Sequence, residues 1–327
     1  MKILTLDIGG ANTKRLVLDS TLGVLESRIA YFPLWKEKAK LKSFLEGLAV
    51  PADHVGITMT GELCDAFGSK REGVEYITSV CEEVFEDPLY LTIDGKLARL
   101  EELSELVVLA AANWVASVRY LEREFREGIL LDMGSTTTDI IPFRKDEVLH
   151  KRTDLERLQE GQLVYTGLLR TPVGSLVDRV PLRGRSTRVA AEHFAITADV
   201  YRALGIIGEE DYTCETPDGR GKDKRAALTR VARLLCADLG EVSEGEVLEI
   251  CAYINDRQVQ AIADALGEVA GVHRLGRAFL CGTGRRIAAK ACTKAGIEPF
   301  DLSTRTEAYA NLPCLGLAWM VLEHVRG

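Results

Sequence analysis

The sequence predicts an α/β protein made of two similar mixed lobes with a cleft between them. Three observations lead there. Residues 6–14, LDIGGANTK, and 131–139, LDMGSTTTD, carry Leu, Asp, Gly and Thr in the same four places. Each stretch lies between two short apolar runs and is followed by segments of helical spacing, so a strand–turn–strand unit with helices occurs twice. A chain of 327 residues, 46% hydrophobic and 28% charged, is long enough for two lobes with separate cores. The first lobe is expected over 1–127 and the second over 128–327. Lobes that face each other are a common place for ligands.

The elements follow in order. Ile3–Ile8 reads as a strand, GGANT as its turn, and Lys14–Asp19 as the returning strand; VLESRIAYF, after the turn STLG, is the third arm. A strand after the glycines is informative, because a dinucleotide fingerprint or a P-loop requires a helix there. Pro33 ends this meander, and WKEKAKLKSFLEGLA has helical spacing. HVGITMT is a strand, and residues 61–85 are expected to be mostly helical. LYLTIDGKLARL is a hairpin around Asp94–Gly95, and 105–125 reads as one long alanine-rich helix.

The pattern then restarts with GILLDMG, the turn STTT and the strand DIIPF, for which RKDEVLHK is the expected hairpin partner. Residues 151–222 are the least periodic and supply loops. Two amphipathic helices follow over 223–271, the second long and expected to be broken. RAFLCGTG is a strand and turn, RRIAAKACTKAG a helix closed by Gly296, and LPCLGLAWMVLEHV the final helix.

Composition excludes several classes. A net charge of −8 offers no general field for nucleic acid or an anionic membrane, so any anion site is made locally. MKILTLDIGG runs straight into a strand, which leaves no room for a signal peptide, and no apolar run approaches the ~20 residues that span a bilayer. The eight cysteines include no C-x-x-C pair and lie mostly in apolar segments; with five scattered histidines this argues for reduced thiols in a cytoplasm and against zinc.

The chemistry is expected at the two turns. Gly9, Gly10 and Gly134 let backbone amides converge on an anion without a β-carbon in the way. Ala11, Asn12 and Thr13 in the first turn, and Ser135, Thr136 and Thr137 in the second, complete two candidate diphosphate loops. Asp7 and Asp132 suit a hydrated Mg²⁺, which takes one or two carboxylates plus phosphate oxygens. Lys14 stands where the second turn has Asp139, a cation in one loop and an anion in the other.

These turns resemble the first and second phosphate motifs of the superfamily comprising sugar kinases, acetate kinase, the Hsp70 ATPase domain and actin. FLCGTGRRIAAK (279–290) resembles its adenosine motif through Gly282, Thr283 and Gly284, and VVLAAANW its first connecting helix. That resemblance implies two ribonuclease H-like lobes. With VGITMTGELCDAF (55–67), YTGLLRTPV (165–173) and TADVYRALG (197–205), the chain is similar to the hydantoinase/oxoprolinase-related proteins of tetrahydromethanopterin-linked C1 metabolism. In methanogens that family includes an enzyme of methanofuran biosynthesis. It joins an aminomethylfuran-methyl diphosphate to γ-glutamyltyramine, forming an aryl ether and releasing pyrophosphate.

The resemblance implies a transferase with small-molecule partners, a diphosphate and a phenolic amine, and Mg²⁺ as cofactor. Nucleic acid and membrane are not expected as partners. Lys14 would neutralise phosphate, and Asp132 or Asp139 would take the phenolic proton. The alternative is an ATP-dependent kinase or ATPase of the same fold, which would use the same loops to hold β- and γ-phosphates. A filament-forming protein of actin type is disfavoured by the absence of an apolar surface stripe.

Further candidates each carry two readings. Thr60, Gly61 and Glu62 either reach the substrate amine or begin a helix capped by Thr60. Tyr165 and Arg170 lie in an irregular loop, where Arg170 would fork the γ-glutamyl carboxylate or stand in solvent. Arg183, Arg185 and Arg188 either guide anions or form a solvated face. Gly282–Gly284 contact a substrate or serve structure alone.

Overall fold

The computed structural model describes residues 1–326. β1 (Lys2–Gly9) is buried from Ile3 to Ile8, as its near-continuous apolar run requires of a central strand. It pairs antiparallel with β2 (Asn12–Asp19), which pairs with β3 (Val24–Tyr31). Asp19 sets the β2–β3 turn by accepting the backbone N–H of Thr21 at 2.7 Å and of Gly23 at 3.0 Å. The helical spacing after Pro33 is realised as α1 (Leu34–Glu37), a 3₁₀ turn, and α2 (Leu41–Glu46). β4 (His54–Thr60) then lies parallel to β1 on its other side.

Residues 61–69 are irregular, and α3 begins only at Lys70 (Lys70–Val84), capped by the Ser69 hydroxyl. Thr60 is therefore the last residue of a strand, and its reading as a helix cap is overturned. β5 (Leu89–Leu91) and β6 (Leu97–Ala98) form the expected hairpin, with Gly95 at φ +74°. The long helix expected over 105–125 is interrupted. Leu106–Leu109 is a 3₁₀ turn, Ala111 takes φ +49°, and α4 spans only Asn113–Leu121. Packing overrides alanine's helix propensity here, because Val108 O is held by Ile93 N–H of the neighbouring hairpin at 2.7 Å.

β7 (Glu127–Met133) and β8 (Thr138–Arg144) flank the second turn. RKDEVLHK supplies only a single bridge, Arg144 to Glu147; after α5 (Asp154–Gln159), it is β9 (Leu163–Val164) that pairs with β8. The cluster PLRGRSTR is a hairpin of β10 (Arg179–Leu182) and β11 (Arg185–Arg188). α6 (Thr197–Ala203) and α7 (Lys224–Arg233) lead to α8 (Glu244–His273). α8 is one unbroken helix of 30 residues, not the broken one expected. Its span has no proline, and extra β-carbons at Gly267 and Gly271 would meet nothing. β12 (Arg277–Cys281), α9 (Arg285–Ala295), β13 (Glu298–Asp301) and α10 (Leu312–Arg326) complete the chain.

The two sheets run β3-β2-β1-β4-β5-β6 and β9-β8-β7-β12-β13. Read by order of appearance, the first five strands of one and all five of the other follow the same plan. The repeat seen in the turns is thus a repeat of whole sheets.

The chain divides into two compact units. One holds Met1–Leu130, Phe143–Arg157 and the segment from Leu302; the other holds Leu131–Pro142 and Leu158–Asp301. This differs from a cut at residue 127, since the closing helix completes the first unit. α10 covers the Ile3/Thr5 face of β1 at close range. A β-carbon on Gly56 would sit 2.9 Å from Val321 Cγ2, and one on Gly316 would sit 2.1 Å from Ala116 O. Thr5 Oγ1 donates to Cys314 O at 3.0 Å. On the opposite face Leu4, Leu6, Ile8 and Met59 pack with Leu41, Val74 and Ile77. The second unit has its own core of Val173, Val200, Leu228, Val231, Ile250 and Ile254. Among the described residues no helix is long and apolar enough to cross a membrane. All eight cysteines are free thiols; Cys236, expected inside a helix, is exposed.

Candidate active site: two glycine loops

In the first unit, side-chain alternation puts Thr5 and Asp7 on one face of β1. The register sets Lys14 of β2 and Thr58 of β4 directly beside Asp7. Asp7 is buried, with Lys14 Nζ at 3.5 Å from Oδ2 and Asn113 Nδ2, at the start of α4, donating to the same oxygen at 3.4 Å. The Thr58 hydroxyl is buried beside them without a hydrogen-bond partner. α10 seals the apolar part of this face and leaves its end polar.

The loop Gly9–Asn12 is held from behind. Gly10 O accepts from Leu34 N–H and Ala11 O from Phe32 N–H, both at 2.9 Å. N–H and C=O point oppositely across a trans peptide, so the amides of Ala11 and Asn12 are aimed away from that anchor. Gly61 backs the loop: its N–H donates to Ile8 O at 3.1 Å, and a β-carbon there would lie 3.0 Å from Gly9 C.

The second unit builds the same device with other parts. Gly134 O accepts from Leu168 N–H at 2.9 Å. Ser135 O accepts from Leu169 N–H at 3.0 Å and Arg170 N–H at 2.9 Å. The amides of Ser135 and Thr136 are therefore the outward ones. Gly167 lies so close that a β-carbon would fall 2.5 Å from Ser135 C and Thr136 N. Its carbonyl is held by Gln258 Nε2 at 2.8 Å and Thr197 Oγ1 at 3.1 Å, and Gln258 is fixed in turn by Tyr201. Arg170 Nη1 donates to Thr136 Oγ1 at 3.3 Å.

Gly282 has φ +77°, and a β-carbon on it would come within 2.2 Å of Asp132 Oδ1; Gly284 N–H donates to Met133 O at 2.8 Å. Gly282 thus occupies, after β12, the place that Gly61 occupies after β4. Thr283 is exposed.

Of the candidates, the fold brings Asp7, Gly9, Gly10, Asn12 and Lys14 together in one unit. It brings Asp132, Gly134, Ser135, Thr136, Arg170 and Gly282 together in the other. Thr13 does not join the first group: it pairs with Ile8, so it lies on the sheet face opposite Asp7, fully buried. Thr137 caps its loop through its carbonyl, which accepts from Gly134 N–H. Asp139 pairs with Leu163 and is half-buried. Thr60 is exposed beside the first loop, and Tyr165 is exposed. Arg183 is held by Glu246 at 2.7 Å.

Glu62 is buried, and its Oε2 lacks a hydrogen-bond partner. Burial pushes its carboxyl up to about 7; Lys70, whose charge works against that rise, faces Asp154 at 3.6 Å. Sequence reasoning missed Asn113, Thr58, Gly167 and Gln258. Asn113 alone left a trace, as the one polar side chain in LVVLAAANWV.

The donors suit Mg²⁺: each loop offers one buried carboxylate among oxygen groups. The described residues contain no group of three or more His, Cys, Asp or Glu that would hold a metal unaided.

The hydantoinase/oxoprolinase family model matches residues 53–324. A curated protein of Methanocaldococcus jannaschii, named (4-{4-[2-(γ-L-glutamylamino)ethyl]phenoxymethyl}furan-2-yl)methanamine synthase, is 39% identical over 94% of this chain and 92% of its own length. One of the same name from Methanococcus vannielii is 39% identical over 56% of this chain and 83% of its own. Among solved structures, a ROK family glucokinase of Streptomyces griseus, with glucose and AMPPNP, matches with a TM-score of 0.51 at 10% identity. That match covers 98% of this chain and 99% of the other. It shows the sugar-kinase type of fold and nothing further.

Proposed function

The chain belongs to the hydantoinase/oxoprolinase family, and from that premise we propose that it is the transferase its curated relatives are named for. The observation that carries this reading is the 39% identity to a synthase along nearly the full length of both chains. The phenol of γ-glutamyltyramine attacks the furfuryl carbon of an aminomethylfuran-methyl diphosphate. The new aryl C–O bond forms as the carbon–diphosphate bond breaks, and the phenolic proton leaves.

The furan oxygen delocalises positive charge on that carbon, so the demanding task is to receive the departing diphosphate. Amides oriented before the reaction suit that task, because they need not reorganise as charge develops. The amides of Ala11 and Asn12 in the first loop, or of Ser135 and Thr136 in the second, would serve it, since the carbonyls of both loops are already tied back. Lys14 balances Asp7 beside the first loop. Where Mg²⁺ binds, Asp7 in the first unit or Asp132 in the second would hold it, and it would neutralise diphosphate charge. Asp139 and Asp132 are the acceptors within the second unit for the phenolic proton. Thr60, Gly61 and Glu62 would serve the substrate amine, for which a buried carboxyl with an unpartnered oxygen is a fitting partner. Free, mostly buried thiols suit a cytoplasmic setting.

The test is direct. Purified protein is incubated with γ-glutamyltyramine, the furan diphosphate and Mg²⁺, without nucleotide. Pyrophosphate and coupled product should appear in equal amounts. Product that forms only when ATP is added would favour the phosphotransferase reading instead.

A further inference from the structure

The two loops differ in how their charge is balanced. In the first, Lys14 on the adjoining strand faces Asp7. The second carries Asp132 and Asp139 in the stretch LDMGSTTTD, which holds no basic residue. A polyanion arriving there meets two carboxylates of its own sign. The fold supplies a cation from elsewhere. Gly167 presses against Ser135–Thr136, and the segment 167–170 hydrogen-bonds to the loop three times, through Leu168, Leu169 and Arg170. This delivers the Arg170 guanidinium to Thr136 Oγ1 at 3.3 Å. Its field also reaches the buried Cys214 thiol, whose ionised form it favours against burial. The placement is maintained from beneath, since Gln258 and Thr197 hold Gly167 O and Tyr201 holds Gln258.

We propose that Arg170, with Thr136 and the amides of Ser135 and Thr136, forms a diphosphate-binding site within the second unit. Arg170 then neutralises the leaving group and does not select the γ-glutamyl carboxylate. A planar guanidinium offers a fork of donors that matches phosphate oxygens. Thr136 Oγ1 orients that fork, and the loop amides supply donors beside it. This assignment rests on the proposed reaction for its biological ligand, though the site itself is tested with inorganic pyrophosphate alone.

Pyrophosphate binding to the full-length protein with Mg²⁺ is measured by titration calorimetry, without organic substrates. Arg170→Gln should weaken it by about 10- to 100-fold, the loss expected for a charge-assisted hydrogen bond. In turnover assays the KM for the furan diphosphate should rise while that for γ-glutamyltyramine stays within about twofold. Unchanged pyrophosphate affinity, or a rise confined to the γ-glutamyltyramine KM, overturns the assignment. Where Arg170→Gln does not fold, Arg170→Lys replaces it. Without the fork, pyrophosphate affinity should drop at least ~3-fold, and no drop overturns the assignment. If the site fails while the wild-type protein still makes the ether, only this proposal falls. Tight pyrophosphate binding without ether formation defeats the parent reading instead.

Discussion

The first and second loops occupy equivalent places in sheets of the same order, yet they are stabilised by different means. The first is local: its cation lies on the next strand, and its carbonyls are tied to the chain just after β3. The second is assembled from afar, using Gly167–Arg170, Gln258 of α8 and Gly282 after β12. The lesson is that a short motif records which backbone cup is made. What balances its charge is free to come from anywhere the fold brings close.

The strongest test of this contrast is steric. Gly282→Ala should destabilise by about 4 kcal/mol, combining a left-handed backbone with an added carbon pressed onto Asp132. Gly134→Ala should cost less than ~1 kcal/mol, since its added carbon meets only Thr137 O at 3.6 Å. Denaturant melts of both variants decide whether the second loop is held from the Gly282 side. Equal losses would break the comparison.

Next is the pair of buried aspartates. Asp132→Asn should lower turnover about a hundredfold, on the scale of losing one electrostatic stabiliser, with stability changed by less than ~1 kcal/mol. Asp7→Asn should also lower turnover, but with a further stability loss of about 1 kcal/mol, because Lys14 loses its counter-charge. Paired kinetics and melts read both, and unchanged turnover in Asp132→Asn would remove it from the site.

The smallest effect separates the units by their buried acids. In the second, Asp199 is raised by burial but accepts from Arg230 Nε at 2.8 Å. In the first, Glu62 is raised to about 7 with no such partner. The folded chain then holds the Glu62 proton where the unfolded chain has released it. Its contribution is full below about 4.5 and is lost as pH rises through about 7. Glu62→Gln should leave stability nearly unchanged near pH 4.5 and raise it by roughly 2 kcal/mol at pH 6. Urea melts at the two pH values measure this. A variant that tracks the wild type at both would show that Glu62 is hydrated.

Local periodicity determined most of the elements here, because the β1 and β7 runs, the Asp94–Gly95 turn and the Gly296 cap each depend on neighbours a few residues away. It also determined the two loops as a pair, since Asp, Gly and Thr recur at fixed offsets from a strand end. It failed where a contact from outside the segment outweighed propensity: the alanine-rich 105–125 was broken by a hydrogen bond from Ile93. Only the tertiary structure returned α10 to the first sheet, set Asn113 on Asp7, and carried Arg170 to Thr136. Those pairings join residues tens to hundreds of positions apart, and no local pattern encodes a contact whose partners meet only once the sheets have formed.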